Sequence, residues 1–169
     1  MGIGIPPVEM AWWAAVALDV VVWAAWGVAC GWLAHRLPAS RTDHDTALLR
    51  ARGWERRLYE GALRVPRWQR RLPEAGAILA GGTDKRRLGG SSTASLEAYA
   101  AETRRAEIAH WLDACAAPLF AVWNPPGLVV AMVVYAGVAN GPCIASLRYN
   151  RLRLDRVLAG RARRRAGSR

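Results

Sequence analysis

Positive charge is confined to two blocks of this chain, and that segregation limits the folds open to it more than any other feature. Met1–Ala34 contains no Lys or Arg, and neither does Glu107–Leu147. All 24 basic residues fall elsewhere, 15 between Arg36 and Arg105 and 9 between Arg148 and Arg169. A domain solvated on every side scatters charge of both signs over its surface. A chain threaded through a bilayer keeps Lys and Arg out of the hydrocarbon and gathers them on its cytoplasmic side. The pattern predicts an all-α membrane protein.

Tryptophan points the same way. Nine Trp stand against one Phe, an odd ratio for an aqueous core, where ordinary buried aromatics are the competing explanation. Trp12, Trp13 and Trp32 bracket one apolar stretch, and Trp111 and Trp123 bracket another. Indole rings favour the headgroup level, where one edge donates a hydrogen bond and the body stays apolar.

Residues 8–33 form the first span, long enough for ~30 Å of hydrocarbon. No basic n-region precedes it, which argues against a cleavable signal peptide. Asp19 sits in its middle. An intramembrane carboxylate is a functional candidate by default, its structural alternative being a hydrogen-bonded Asp facing the bundle. Residues 108–124 form a short second span interrupted by Pro118, the "WNPPG" stretch at 123–127 is a tight turn, and residues 127–147 form a third span, broken late by "NGP" at 140–142. The pair reads as a transmembrane hairpin, with a re-entrant hairpin as the alternative.

About three spans follow, with the N-terminus outside and the C-terminus cytoplasmic, in a multi-pass protein of the cell membrane. The connector at 35–107 mixes Leu, Trp and Tyr with arginines, as suits interfacial amphipathic helices between spans 1 and 2. It contains a Gly/Ser-rich loop, "GGTDKRRLGGSSTAS", that ends in hydroxyl residues fit to start a helix. The tail at 148–169 sets nine basic residues against Asp155 alone. Lipid headgroups are the nearest anions to it, and nucleic acid is not an expected partner. Cys30, Cys115 and Cys143 lie in apolar stretches without metal or disulfide spacing and are expected to be packing residues.

Two polar clusters can carry chemistry. From Leu96 the sequence runs without Gly or Pro to Pro118, so Glu107, His110 and Asp113 recur at i, i+3 and i+6 on one helix. At the same spacing Glu102 can pair with Arg105, and Arg104 with Glu107. A carboxylate one turn from a histidine fixes its tautomer and favours its protonated form, as general-base catalysis needs. The second cluster is "LRYNRLRLDR", 147–156, where Arg148, Asn150 and Arg151 suit a phosphate or carboxylate. Stop-transfer anchoring is the plainer explanation for those arginines.

The stretches "RWQRRLPEAG", "ETRRAEIAHW" and "YAGVANGPCIASLRYNRLRL", in that order, resemble the glycosyl-4,4'-diaponeurosporenoate acyltransferases of staphyloxanthin-type carotenoid synthesis. The likeness runs over residues 54–154. Leu152 stands where the family pattern has proline, Leu147 where glutamine is usual, and Asp113 falls outside the shared pattern. The resemblance implies a membrane acyltransferase that esterifies a hydroxyl of a glycosylated carotenoid, another isoprenoid or a related glycolipid with a fatty acyl chain.

On that resemblance His110 is the general base and Glu107 orients it. Arg105, Trp111, Tyr135, Asn140, Arg148, Tyr149, Asn150 and Arg151 are carried over as substrate-binding residues. No metal or other cofactor is implied, and acyl-CoA or an acyl-carrier protein is the expected donor. The rival class is a non-catalytic lipid-binding or scaffold subunit of a membrane enzyme complex. Three spans enclose a long lipid thinly, so a homodimer is plausible, and Gly27 and Gly31 form a small-xxx-small pattern that could pack helices.

Overall fold

A computed structural model describes residues 8–72 and 92–168, all of them helical or connecting segments without strands. The Gly/Ser-rich loop lies outside these residues as far as Ser91. Three long helices dominate: α1, Trp12–His35; α2, Thr93–Ala114; and α3, Pro126–Gly167. Contacts divide the chain into two units, Met1–Arg36 with Ile108–Pro142, and Leu37–Glu107 with Cys143–Arg169.

In the first unit, α1 is apolar on all sides. Ala15, Asp19, Cys30 and Ala34 form its buried stripe, whereas Trp12, Trp13, Val20, Val28 and Trp32 are exposed. A helix apolar all round belongs in lipid or in the core of a much larger protein. Two helices, α1 and α3, are long and apolar enough to cross a membrane. Residues 108–124, expected as a span, are not one continuous helix. A proline ring at 118 clashes with the carbonyl four residues earlier, on Ala114, and α2 ends there. The chain continues as a 3-10 helix, Ala117–Val122.

This broken segment runs antiparallel to α1. Trp26 Nε1 donates to the carbonyl of Leu112 at 3.0 Å, one of the last-turn acceptors that α2 leaves open. At the other end, Val8 N donates to the carbonyl of Val122 at 3.2 Å. Between them Trp23 stacks on the fully buried Phe120, meets Tyr135 edge-on, and donates to Met132 Sδ at 3.3 Å. Pro126 opens α3 at the first helical position, where its missing N–H costs nothing. The predicted break at "NGP" is absent, since α3 runs on through Pro142.

The second unit begins with short helical turns. Glu55–Arg57 passes into a π-helical turn, Leu58–Ala62. Arg64 then adopts a left-handed conformation, φ 48°, and turns the chain into Val65–Trp68. Tyr59, Val65 and Tyr149 form the core here, with Trp68, Ala145 and Leu152 packed against it. As the hydroxyl pattern predicts, Ser92 caps α2, its Oγ accepting from Ser95 N at 3.1 Å.

Candidate functional site

In the first unit a relay of three polar side chains joins α2 to α3. Asn140 is buried and donates from Nδ2 to Asp113 Oδ2 at 3.0 Å and to the carbonyl of Ala136 at 3.2 Å. Its Oδ1 stands 2.9 Å from Nδ1 of His110. An amide whose nitrogen serves two acceptors presents its oxygen as an acceptor, so His110 donates from Nδ1. The neutral ring then carries its proton on Nδ1 and its lone pair on Nε2.

Glycine matters at one point beside this relay. A Cβ added to Gly27 would lie 3.3 Å from Asp113 Oδ1, so only a residue without a side chain lets α1 come this close without displacing the carboxylate. Farther along α1, buried Asp19 accepts at one oxygen from Trp123 Nε1 and Asn124 Nδ2, both at 2.7 Å. It holds the "WNPPG" turn to the helix.

The second unit contains a buried ion cluster. Glu107 is fully buried and accepts from Arg148 Nε at 2.7 Å and from Arg151 Nη2 at 2.6 Å. Arg148 also reaches Glu55, at 3.3 and 3.4 Å, and the carbonyl of Leu48. Arg151, fully buried, donates to the carbonyl of Leu49 and lies 3.8 Å from Asp45. Asp45 in turn accepts from Arg104 Nε at 2.6 Å.

Glu55 and Tyr59 titrate away from their ordinary values. Burial opposes ionisation of Glu55, but the N–H of Arg52, the Tyr59 hydroxyl (2.8 Å) and Arg148 outweigh it and hold its carboxyl low. Burial and the bond to Glu55 push the Tyr59 hydroxyl well up.

The other sequence-predicted residues have separate settings. Arg105 pairs with Glu102 at 3.4 Å, as the spacing predicts. Trp111 is half-buried on α2, and Tyr135 is half-exposed against Trp23. Tyr149 belongs to the core of the second unit. Asn150 lines an open hollow of about 460 Å³ with Tyr99, Arg153 and Arg156. Glu107, Arg148 and Arg151 are therefore brought together in one unit, and His110 and Asn140 in the other. Sequence reasoning missed Glu55, Tyr59 and Asp45, and it set Asp113 aside. Among the described residues, no group of three His, Cys, Asp or Glu side chains is arranged to hold a metal ion.

The model of the glycosyl-4,4'-diaponeurosporenoate acyltransferase family matches residues 45–160. The chain belongs to that family. A glycosyl-4,4'-diaponeurosporenoate acyltransferase of Staphylococcus haemolyticus (strain JCSC1435) is 33% identical over 104 residues, 60% of this chain and 60% of that protein. One of Staphylococcus aureus (strain USA300) is 33% identical over 95 residues, 56% of each chain. The match thus spans less than two thirds of these relatives' length. No solved structure matches the chain. The region shared with the glycosyl-4,4'-diaponeurosporenoate acyltransferase family contains the relay from His110 to Asp113 and every member of the ion cluster, whereas α1 lies outside it.

Proposed function

We propose that the chain is a membrane acyltransferase that esterifies a hydroxyl of a glycosylated carotenoid or related glycolipid, with His110 as general base. The His110–Asn140–Asp113 relay carries this reading. It leaves Nε2 as the basic nitrogen of the ring, and Asn140, itself held by Asp113, fixes the ring in that tautomer and orientation. The acceptor hydroxyl gives its proton to Nε2 as its oxygen attacks the acyl carbonyl of a thioester, acyl-CoA or acyl-carrier protein. The C–O bond forms, the C–S bond breaks, and the leaving thiolate takes the proton back. Transfer is direct, in a ternary complex. The similarity to glycosyl-4,4'-diaponeurosporenoate acyltransferases supports the acyl and glycosyl-carotenoid chemistry.

For topology we propose that both basic blocks are cytoplasmic and that residues 108–124 pass the bilayer beside α1 as the second of three spans. The pairing of Leu112 with Trp26 at one end and of Val122 with Val8 at the other supports a full traverse. A 3-10 turn rises ~2.0 Å per residue against 1.5 Å in an α-helix, which lengthens the reach of a short segment.

One observation favours the rival reading of a lipid-binding or scaffold subunit: Arg148 and Arg151 are neutralised inside the fold. His110→Ala in a deletion strain separates the two. Loss of the acylated glycolipid by lipid mass spectrometry, with protein abundance unchanged, supports catalysis. Unchanged product sinks the catalytic role, and loss of the protein itself favours the structural one.

A further inference from the structure

Arg148 and Arg151 are committed to Glu107, Glu55 and Asp45, so an anionic ligand of this protein needs other cations. The second unit offers a pair. Several residues from Ala47 to Tyr59, Arg50, Arg52 and Trp54 among them, line an open hollow of about 250 Å³ together with Arg148. Its inner wall is already neutral, because Glu55 accepts from Arg148, from Tyr59 Oη and from the backbone N–H of Arg52. Arg50 and Arg52 stand exposed on the same hollow, and neither guanidinium has a hydrogen bond or ion pair among the described residues. Beside them Trp54 is 60% exposed and Leu48 54%.

Two guanidinium forks suit the oxygens of a phosphate. The exposed indole and leucine suit the apolar part of the same molecule. The volume lies below the ~300–1,000 Å³ of sites that enclose a whole drug-sized ligand, so the hollow takes a headgroup and leaves an acyl chain outside. We infer that Arg50, Arg52 and Trp54 form a binding site for the phosphate end of an amphiphile. Two sources share that chemistry: the phosphorylated carrier of the acyl donor, which rests on the acyltransferase reading, and an anionic phospholipid headgroup of the bilayer, which does not.

The test is native mass spectrometry of the full chain released from neutral-lipid nanodiscs, titrated separately with palmitoyl-CoA and with phosphatidylglycerol. Arg50→Gln/Arg52→Gln is compared with Arg163→Gln/Arg164→Gln, which removes the same charge from the exposed C-terminal end of α3. Loss of two charge-assisted contacts should weaken binding about tenfold or more, while the control pair changes it less than about twofold. Weakening confined to palmitoyl-CoA assigns the hollow to the donor, and weakening confined to phosphatidylglycerol assigns it to the bilayer. Equal loss in both double variants, or no loss in either ligand, overturns the site. Both substitutions are at exposed positions, and an unchanged melting temperature verifies the fold. Binding is read without turnover, so a catalytically silent His110→Ala result leaves this outcome intact.

Discussion

Neutralising Glu107 probes the ion cluster where it is least able to adapt. The carboxylate and its partner Arg151 are both fully buried, joined at 2.6 Å. Asp45, 3.8 Å from the Nε of Arg151, already holds Arg104. A guanidinium cannot shed its proton at any accessible pH, so Glu107→Gln leaves a buried cation short of compensation. Breaking such a pair costs about 3–5 kcal/mol. At ~2–4 °C per kcal/mol for a chain of this size, the melting temperature should fall by roughly 6–20 °C.

Thermal unfolding of the detergent-solubilised protein, followed by far-UV circular dichroism, measures this. Glu107→Leu with Arg151→Leu should melt above Glu107→Gln. Arg148 keeps Glu55 in that double variant and Asp45 keeps Arg104, so no buried charge is orphaned. A Glu107→Gln protein that melts within about 2 °C of the parent, below ~1 kcal/mol, yet loses acyl transfer would refute the reasoning. Glu107 would then belong to the chemistry and not to the cohesion of the fold.

Three further predictions concern the His110 relay and the neighbours of the ion cluster. Asp113→Asn removes the charge behind Asn140 and should lower the rate of acyl transfer about tenfold to hundredfold, less than the ~10²–10⁴-fold expected for loss of the base itself; in vitro transfer rates with melting temperatures separate this from unfolding. Gly27→Ala sets a methyl 3.3 Å from Asp113 Oδ1, and transfer should drop while the protein still accumulates in the membrane at normal abundance. Stability should follow pH at both extremes. The depressed Glu55 carboxyl contributes fully above its ordinary 4.5 and loses that contribution as pH falls through its lower folded value. The raised Tyr59 hydroxyl contributes below its ordinary 10.0 and loses that contribution as pH climbs further. Melting curves of Glu55→Gln and Tyr59→Phe should flatten the acid and alkaline limbs respectively.

What was legible in the sequence is what depends on local pattern. The stretches without Lys or Arg mark α1 and the first part of α3, and Pro118 marks the place where α2 must stop. Ser92 marks the start of α2 because a hydroxyl there meets the open N–H groups of the first turn. His110 and Asn140 were each singled out, but their direct contact was not, since 30 residues and a turn separate them. Asp113 lies on the right stripe of the helix but outside the shared family pattern, so the motif alone does not select it. Glu55 stayed hidden among neighbouring arginines, because its partner Arg148 is 93 residues away and no periodicity encodes such a pairing. Pro142 misled in the opposite direction: one missing N–H within a long helix did not end it.

The closed charge balance of the ion cluster has a consequence for ionic strength. Asp45, Glu55 and Glu107 face Arg104, Arg148 and Arg151 one for one, so the formal net charge of +11 resides outside the cluster. Salt screens exposed charges within about 8–10 Å but hardly reaches buried pairs. Raising it should therefore loosen the protein's hold on anions at its surface while leaving its unfolding temperature nearly constant, so that a single variable separates adhesion from folding.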